Sequence, residues 1–543
     1  MKKPIRATTR FPDRSPAAME SAWRPLPEAY KPMSSTGPRL WPLYLLAGIV
    51  VLALLLIWLP ESLHRQQQVM RTMGLFILAV ILALLWLLFA SRLAWGRRLR
   101  YFGGIVVVIA LGIGFLRIKG LSGDFVPVLE WRWSAAGEAL APEGGAATAL
   151  DARDWPQFLG PERNNRLRGV RLERDWTRRP PREIWRRPVG AGWSSFAIAG
   201  GRAVTQEQHG PEEQVICYDL ATGRKLWQHA DFTRYESAIA GVGPRATPTI
   251  AGGRVFTLGA TGILNCLDLA GGAQIWSRDI LADNRAEASM WGNSCSPLVL
   301  DTLVVVSAGG RDERSLVAYH RQTGAFVWGG GKDRAGYSSP RLVTLAGREQ
   351  ILIFNSYSVV GHDPRNGVPL WREPWEQVQC VANPLPLPGN RVLVSSGYGI
   401  GARLYQVNAA PDGLTSEIVW RSPRLKAKFA NMVEHDGFVY GLDDGVLVCL
   451  DPRDGKRRWK RGRYGHGQLI LIDDVLLIMS ESGDVVLVEA RSDRHVELAH
   501  MTVFSGKTWN PPSFAAPYLL VRTDSEAACY ELALADETQA QRF

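Results

Sequence analysis

One phrase keeps returning along the C-terminal two thirds of this chain, and it leaves few folds open. DLATGRKLW ends at Trp227, DLAGGAQIW at Trp276, HRQTGAFVW at Trp328, DPRNGVPLW at Trp371 and DPRDGKRRW at Trp459. Weaker copies end at Trp420 and near Leu498, so the unit recurs every 39–52 residues. A fixed period of this size states an architecture of stacked supersecondary units and outranks local propensity.

Each copy reads as a β-hairpin. An alternating strand (Val215–Asp219, Leu264–Asp268, Leu447–Asp451) leads into an Asp/Thr/Asn-Gly turn, and the return strand ends on Trp. Gly223, Gly272, Gly324, Gly367 and Gly455 fit the left-handed position of such a loop. Another strand pair lies upstream of each copy, as in Thr249–Ile250, a Gly252-Gly253 turn and Arg254–Leu258. Four short strands per unit of about 45 residues make the blade of a β-propeller. Seven complete units end at Trp227, Trp276, Trp328, Trp371, Trp420, Trp459 and near Leu498, while Ser513–Leu534 supplies only three strands. The orphan strand PREIWRRPV, with Trp185, has the character of a missing fourth strand. The expected fold is therefore an all-β, eight-bladed propeller over residues 154–534, its last blade closed by an N-terminal strand so that no sheet edge is left at the joint.

The D-x-x-[TDN]-G-x-x-x-W phrase, the eightfold count and the DWPQFLGP opening at Asp154–Pro161 resemble the pyrroloquinoline-quinone-repeat propellers. That family includes quinoprotein alcohol and glucose dehydrogenases, and an outer-membrane-assembly lipoprotein of similar compactness that shares the fold without a cofactor. The resemblance implies that Trp185, Trp227, Trp276, Trp328, Trp371, Trp420 and Trp459 dock blade on blade. For a dehydrogenase it also implies a carboxylate and an amide on calcium beside the quinone, a catalytic Asp and a vicinal disulfide. Glu207, Glu236 and Asp333 are read as loop residues, and none sits in a matching motif. No two cysteines are adjacent.

The N-terminal part is of another kind. Leu40–Pro60, Gly74–Ser91 and Tyr101–Leu116 lack charge and are long enough, or nearly so, to cross about 30 Å of hydrocarbon. The expected plan is a basic tail at 1–39, three transmembrane helices within 40–119, a linker at 120–153, flexible over the Ala/Gly/Glu stretch Ser134–Ala149, and a tail at 535–543 after the propeller. The net charge of +11 separates along these lines. Sixteen basic and four acidic residues lie before position 120, leaving the propeller near neutral. That neutrality argues against nucleic acid as a partner. Twelve cations flank the even side of the spans and two the odd side, which predicts a cytoplasmic N-terminus in the inner membrane and a periplasmic or extracellular propeller.

Little in the propeller reads as chemistry. Cys217, Cys266, Cys449 and Cys529 share one third-strand position and read as small buried hydrophobes, while Cys295 and Cys380 read as free thiols or a pair. FSGKTW at Phe504–Trp509 lacks the leading glycine of a phosphate loop. No metal-ligand, serine-hydrolase or Cys-x-x-Cys motif occurs. Aligning the blades by their innermost strands gives two rings. One is uniformly small or amide-bearing: Ser195, Thr247, Ser296, Ser339, Asn383, Asn431, Gln468 and Asn510. Such residues either cap turns or line the channel. The other, two residues earlier, is varied: Trp193, Arg245, Ser294, Tyr337, Val381, Phe429, His466 and Thr508.

Variety at a symmetric position marks a candidate ligand site. Arg245 suits a carboxylate or phosphate, the aromatics suit a planar ring, and His466 is the ring's base titrating near neutral pH. Trp291, Asn293 and Trp509 extend this mouth, and Asn383, Asn431 and Asn510 join it from the first ring. No catalytic residue and no metal ligand is assigned. The leading expectation is a membrane-anchored propeller that binds a protein or small ligand, with no cofactor. The alternative is a membrane quinoprotein dehydrogenase using pyrroloquinoline quinone and calcium.

Overall fold

A computed structural model of the chain describes residues 38–60, 63–133, 144–147 and 153–535. The expected tails and most of Ser134–Ala149 lie outside the described residues. Eight antiparallel sheets form the eight blades, numbered here from Ala197. Blade 2 shows the plan, with Thr249–Ala251 innermost, then Arg254–Leu258, Ile263–Asp268 and Gln274–Asp279. Blade 8 joins Ser513–Ala515, Tyr518–Arg522 and Glu526–Glu531 to the orphan strand Arg182–Pro188, which closes the ring. Blade 7 carries one extra short strand, Arg166–Leu167, parallel to Gln468–Ile472.

The repeat phrase has a packing reason. Four of these Trp lie in register with a third-strand cysteine of their own blade: Cys217 with Trp227, Cys266 with Trp276, Cys449 with Trp459 and Cys529 with Trp185. The strand then bulges, and in five of the blades the indole N–H reaches into the following blade. Trp185, Trp227, Trp276, Trp420 and Trp459 donate to the carbonyls of Leu220, Leu269, Arg321, Pro452 and Arg491 at 2.8–3.0 Å. The turn glycine of that next blade lies flat on the ring. A Cβ on Gly324, at φ 69°, would sit 2.7 Å from the Trp276 ring, so both backbone conformation and space demand glycine. Around Trp276, Phe256 and Cys266 of blade 2 meet Val304, Val306 and Tyr319 of blade 3. All six cysteines are buried and free, including Cys295 and Cys380.

The small polar ring links blades rather than capping turns. The backbone N–H of Ser195 donates to Thr247 Oγ1, that of Thr247 to Ser296 Oγ, and that of Ser296 to Ser339 Oγ. Ser339 then donates to Asn383 Oδ1 and Asn383 to Asn431 Oδ1, at 3.0 and 2.8 Å. Asn510 Nδ2 joins blade 8 to blade 1 through the Ser194 carbonyl at 2.8 Å.

Ahead of the propeller, α1 (Trp41–Trp58), α2 (Arg65–Leu85, continued by a π turn to Ala90) and α3 (Trp95–Phe115) are long and apolar enough to cross a membrane. The third is a continuous helix despite its five glycines. The region expected to begin the linker differs from that expectation. Helix α3 runs directly into β1 (Leu116–Leu121), which pairs antiparallel with β2 (Pro127–Trp131). Alternating apolar residues on either side of Ser122-Gly123-Asp124 favour a hairpin there, and its tip lies on the propeller.

Candidate functional site at the propeller mouth

Segments from before the blades lie across both ends of the central channel. At the far end Trp155 is buried, Phe158 lines the cavity, and Arg163 donates to the carbonyls of Ser296 and Pro297 at 2.9 Å each. The DWPQFLGP opening is thus the channel floor. At the near end the hairpin tip Ser122–Phe125 forms the lid. Between them lies a cavity of about 160 Å³, room for on the order of ten waters.

Its walls are largely the residues that the varied ring pointed to. Trp291 stacks on Tyr337 with centroids 5.0 Å apart, and Phe429 stands edge-on to Trp291 at 6.3 Å. Trp509 packs on Phe429 and on Trp193, each at 5.0 Å. Tyr398, which the alignment did not single out, completes the wall beside Trp291. Trp291 Nε1 is buried there with no hydrogen-bond partner among the described residues. Asn431 also lines the cavity.

Other ring members lie elsewhere or do other work. Arg245 also lines the cavity, while its guanidinium stacks on Tyr235 at 4.3 Å and braces a loop by holding the carbonyls of Ala240, Gly241 and Gly243. Burial pushes it down to about 10. Asn293 bonds the Ala260 carbonyl, and Asn383 and Asn510 are spent on the blade links. Glu207 is a fully buried strand residue holding Tyr218 and His209, not a loop residue. Glu236 pairs with Arg234 and Asp333 with Arg372, away from the cavity walls.

The groups that fasten the lid are mostly ones the alignment missed. Glu481 accepts the Gly123 N–H at 2.7 Å and the Trp509 indole N–H at 2.8 Å through Oε1, and the His466 N–H at 2.9 Å through Oε2. Lys428 donates to the Gly123 carbonyl and, at 2.8 Å, to Gln66 of α2, with its charge over Tyr398 and Phe429. Lys507 donates to the Leu121 carbonyl at 2.9 Å and sits 4.0 Å over the Trp509 ring. His466 Nε2 meets Asp124 Oδ1 at 3.0 Å, and Arg65 of α2 binds the other Asp124 oxygen at 2.7 Å. A Cβ on Gly123 would fall 2.2 Å from the His466 ring, so the tip is glycine because nothing larger fits. Lysines beside aromatics in KAKFAN and GKTWN carry no signal of their own. Only the docked hairpin gives them a role.

Burial pushes Lys428 and Lys507 each down to about 8. Burial raises Asp124, but its hydrogen bond to His466 and its pairing with Arg65 outweigh this and hold it below the usual carboxylate range. The linkage has a definite sign. Undocking returns both lysines to water and to ordinary values near 10.5. Between about pH 8 and 10.5 the undocked state therefore binds more protons, and docking strengthens as pH rises through that window. On the acid side, docking weakens as pH falls through the depressed pKa of Asp124. A fluorine probe on Val126→Cys reports this, since the native thiols are buried. The docked signal should grow from pH 8 to 9.5, and a fall over that range would contradict the assignment.

Comparison with known proteins places the fold. A family model described as outer membrane protein assembly factor BamB matches residues 211–461. A europium-containing methanol dehydrogenase structure is similar with a TM-score of 0.53 at 13% identity, covering 70% of this chain and 98% of that one. The quinohemoprotein alcohol dehydrogenase ADHIIG from Pseudomonas putida HK5 gives 0.51 at 13% identity, covering 71% and 81%. BamB from Moraxella catarrhalis gives 0.46 at 14% identity, covering 65% and 97%. No curated protein sequence matches significantly.

Proposed function

We propose that this chain, whose propeller a BamB-described family model matches over residues 211–461, is a membrane-anchored scaffold whose extracytoplasmic propeller binds another protein or a small ligand. The observation that carries this reading is the hairpin lid. The mouth where such a fold has room for a ligand is held by the chain's own residues 122–125, tied through Glu481, Lys428, Lys507 and His466. Two further features support the anchoring. The start of α2 and the segment after α3 both meet the propeller, as three spans require, through Gln66 with Lys428 and through Asp124 with His466. The cation bias supports an N-terminus in the cytoplasm and a propeller outside. A reporter fused after Lys119 should be active only in its extracytoplasmic form.

The donor set at the mouth does not fit a quinone with calcium. The oxygens of Glu481 are taken by three N–H groups, and those of Asp124 by His466 and Arg65. No group of three or more His, Cys, Asp or Glu is placed to hold a metal ion among the described residues, and the six thiols are single and buried. The test is a titration of the full chain in detergent with pyrroloquinoline quinone and Ca²⁺, read by dye reduction with alcohols and sugars. No saturable uptake and no reduction are expected. Saturable uptake with reduction would replace the scaffold with a dehydrogenase.

A further inference from the structure

Blade 6 ends in an outer strand unlike any other in the ring. Lys456–Arg463, KRRWKRGR, places six cations in eight residues: Lys456, Arg457, Arg458, Lys460, Arg461 and Arg463. All are exposed except Lys460, which is half-buried and pairs with Asp443. Lys456 pairs with Asp454, and Arg458 lies over the Phe438 ring. Arg457, Arg458 and Arg461 make no salt bridge or hydrogen bond among the described residues, whereas Arg182 and Arg186 on the outer strand of blade 8 are tied to Glu531, Glu183 and Glu526.

Outer-edge cations commonly serve to repel edge-to-edge pairing. That role does not account for six of them. The outer strands of blades 3 and 7, Phe326–Gly330 and Glu497–Thr502, stand as edges with no Lys or Arg at all. The blade 6 sheet ends at Lys456–Arg463, so its outward N–H and C=O groups have no strand partner among the described residues.

We propose that this edge is a docking strand for an acidic extended segment of a partner protein. The segment would add to blade 6 as a fifth strand, its main chain pairing with 456–463 and its carboxylates answering Arg457, Arg458 and Arg461. The charge is strung along about 26 Å of strand, at roughly 3.3 Å per residue. It runs from the far face toward the mouth, where Arg463 is close enough to feel the charge of Arg65. A lipid surface would meet only the mouth end of such a line. A polypeptide strand can meet all of it. The inference rests on the scaffold reading and gives it a surface and a partner chemistry.

The experiment uses the full chain in detergent and three labelled ten-residue probes: alternating Glu and Val, alternating Lys and Val, and the Glu peptide with proline at every second position. The first should bind, with affinity falling as salt rises. The second should not bind, and the third should bind at least about tenfold more weakly because proline cannot pair. Arg457→Glu with Arg461→Glu should weaken the first probe at least about tenfold. Arg457→Gln with Arg461→Gln, a milder pair, should do so in the same direction with the circular dichroism unchanged. Equal binding of the proline probe would overturn strand addition. Tighter binding to anionic vesicles or a single-stranded oligonucleotide than to the Glu peptide would overturn the partner class. Absence of peptide binding alone removes this edge, and only quinone uptake with dye reduction removes the scaffold reading as well.

Discussion

Lys428→Glu is expected to expel the hairpin from the propeller mouth. The substitution places a carboxylate among Phe429, Tyr398 and Phe125, where Lys428 now sits, and beside Glu481, Asp124 and Asp444. It deletes the donor to the Gly123 carbonyl and to Gln66 and leaves a buried charge without compensation. Such losses cost about 3–5 kcal/mol. The docked-to-undocked ratio should therefore fall more than about a hundredfold, and the Val126→Cys probe should show only the free hairpin. Lys428→Met keeps the stem against the aromatics and loses the hydrogen bonds and the charge over Tyr398 and Phe429, for about 1–3 kcal/mol. The blades should keep their circular dichroism in both variants. A docked hairpin in Lys428→Glu would mean that the lid is held by something other than these contacts.

Trp276→Ala should lower the stability of the propeller by about 3–5 kcal/mol, read as a shifted urea midpoint. The ring fills the seam between blades 2 and 3, its N–H holds the Arg321 carbonyl at 3.0 Å, and Gly324 lies against its face. The interlock makes a sharper claim than the single variant. Gly324→Ala alone puts a methyl into the indole and a side chain at φ 69°, so it destabilises for two reasons. In the Trp276→Ala background only the backbone reason remains. The two changes should cost measurably less together than the sum of each alone. Strict additivity would show that the Trp-Gly contact is incidental to the repeat.

The repeat was legible because one interlock, Trp of a blade on Gly of the next, recurs and imposes both residues at fixed spacing. The closing strand was legible for the same reason, since Trp185 in PREIWRRPV has no blade of its own until blade 8 supplies Cys529 as its neighbour. Trp193, Tyr337 and Phe429, which symmetry marks as channel positions, line the mouth cavity together with their neighbours Trp291 and Trp509. The same symmetry could not say which polar residues were free. Asn383 and Asn510 join blades, and Arg245 braces a loop. The lid stayed hidden for a different reason. Gly123 and Glu481 are 358 positions apart, and no pattern within either segment records that they meet. Its local signal, alternation around Ser-Gly-Asp, specifies a hairpin but not where the hairpin docks.

The measurement that bears most directly on the account is amide exchange at Ser122–Phe125 in the full chain, in lipid nanodiscs, with and without pyrroloquinoline quinone and Ca²⁺. The Gly123 N–H should be protected by its bond to Glu481, and the protection should be unchanged by the quinone and lost in Lys428→Glu. Rapid exchange throughout the tip, or protection lost on adding quinone and calcium, would contradict a mouth closed by its own hairpin.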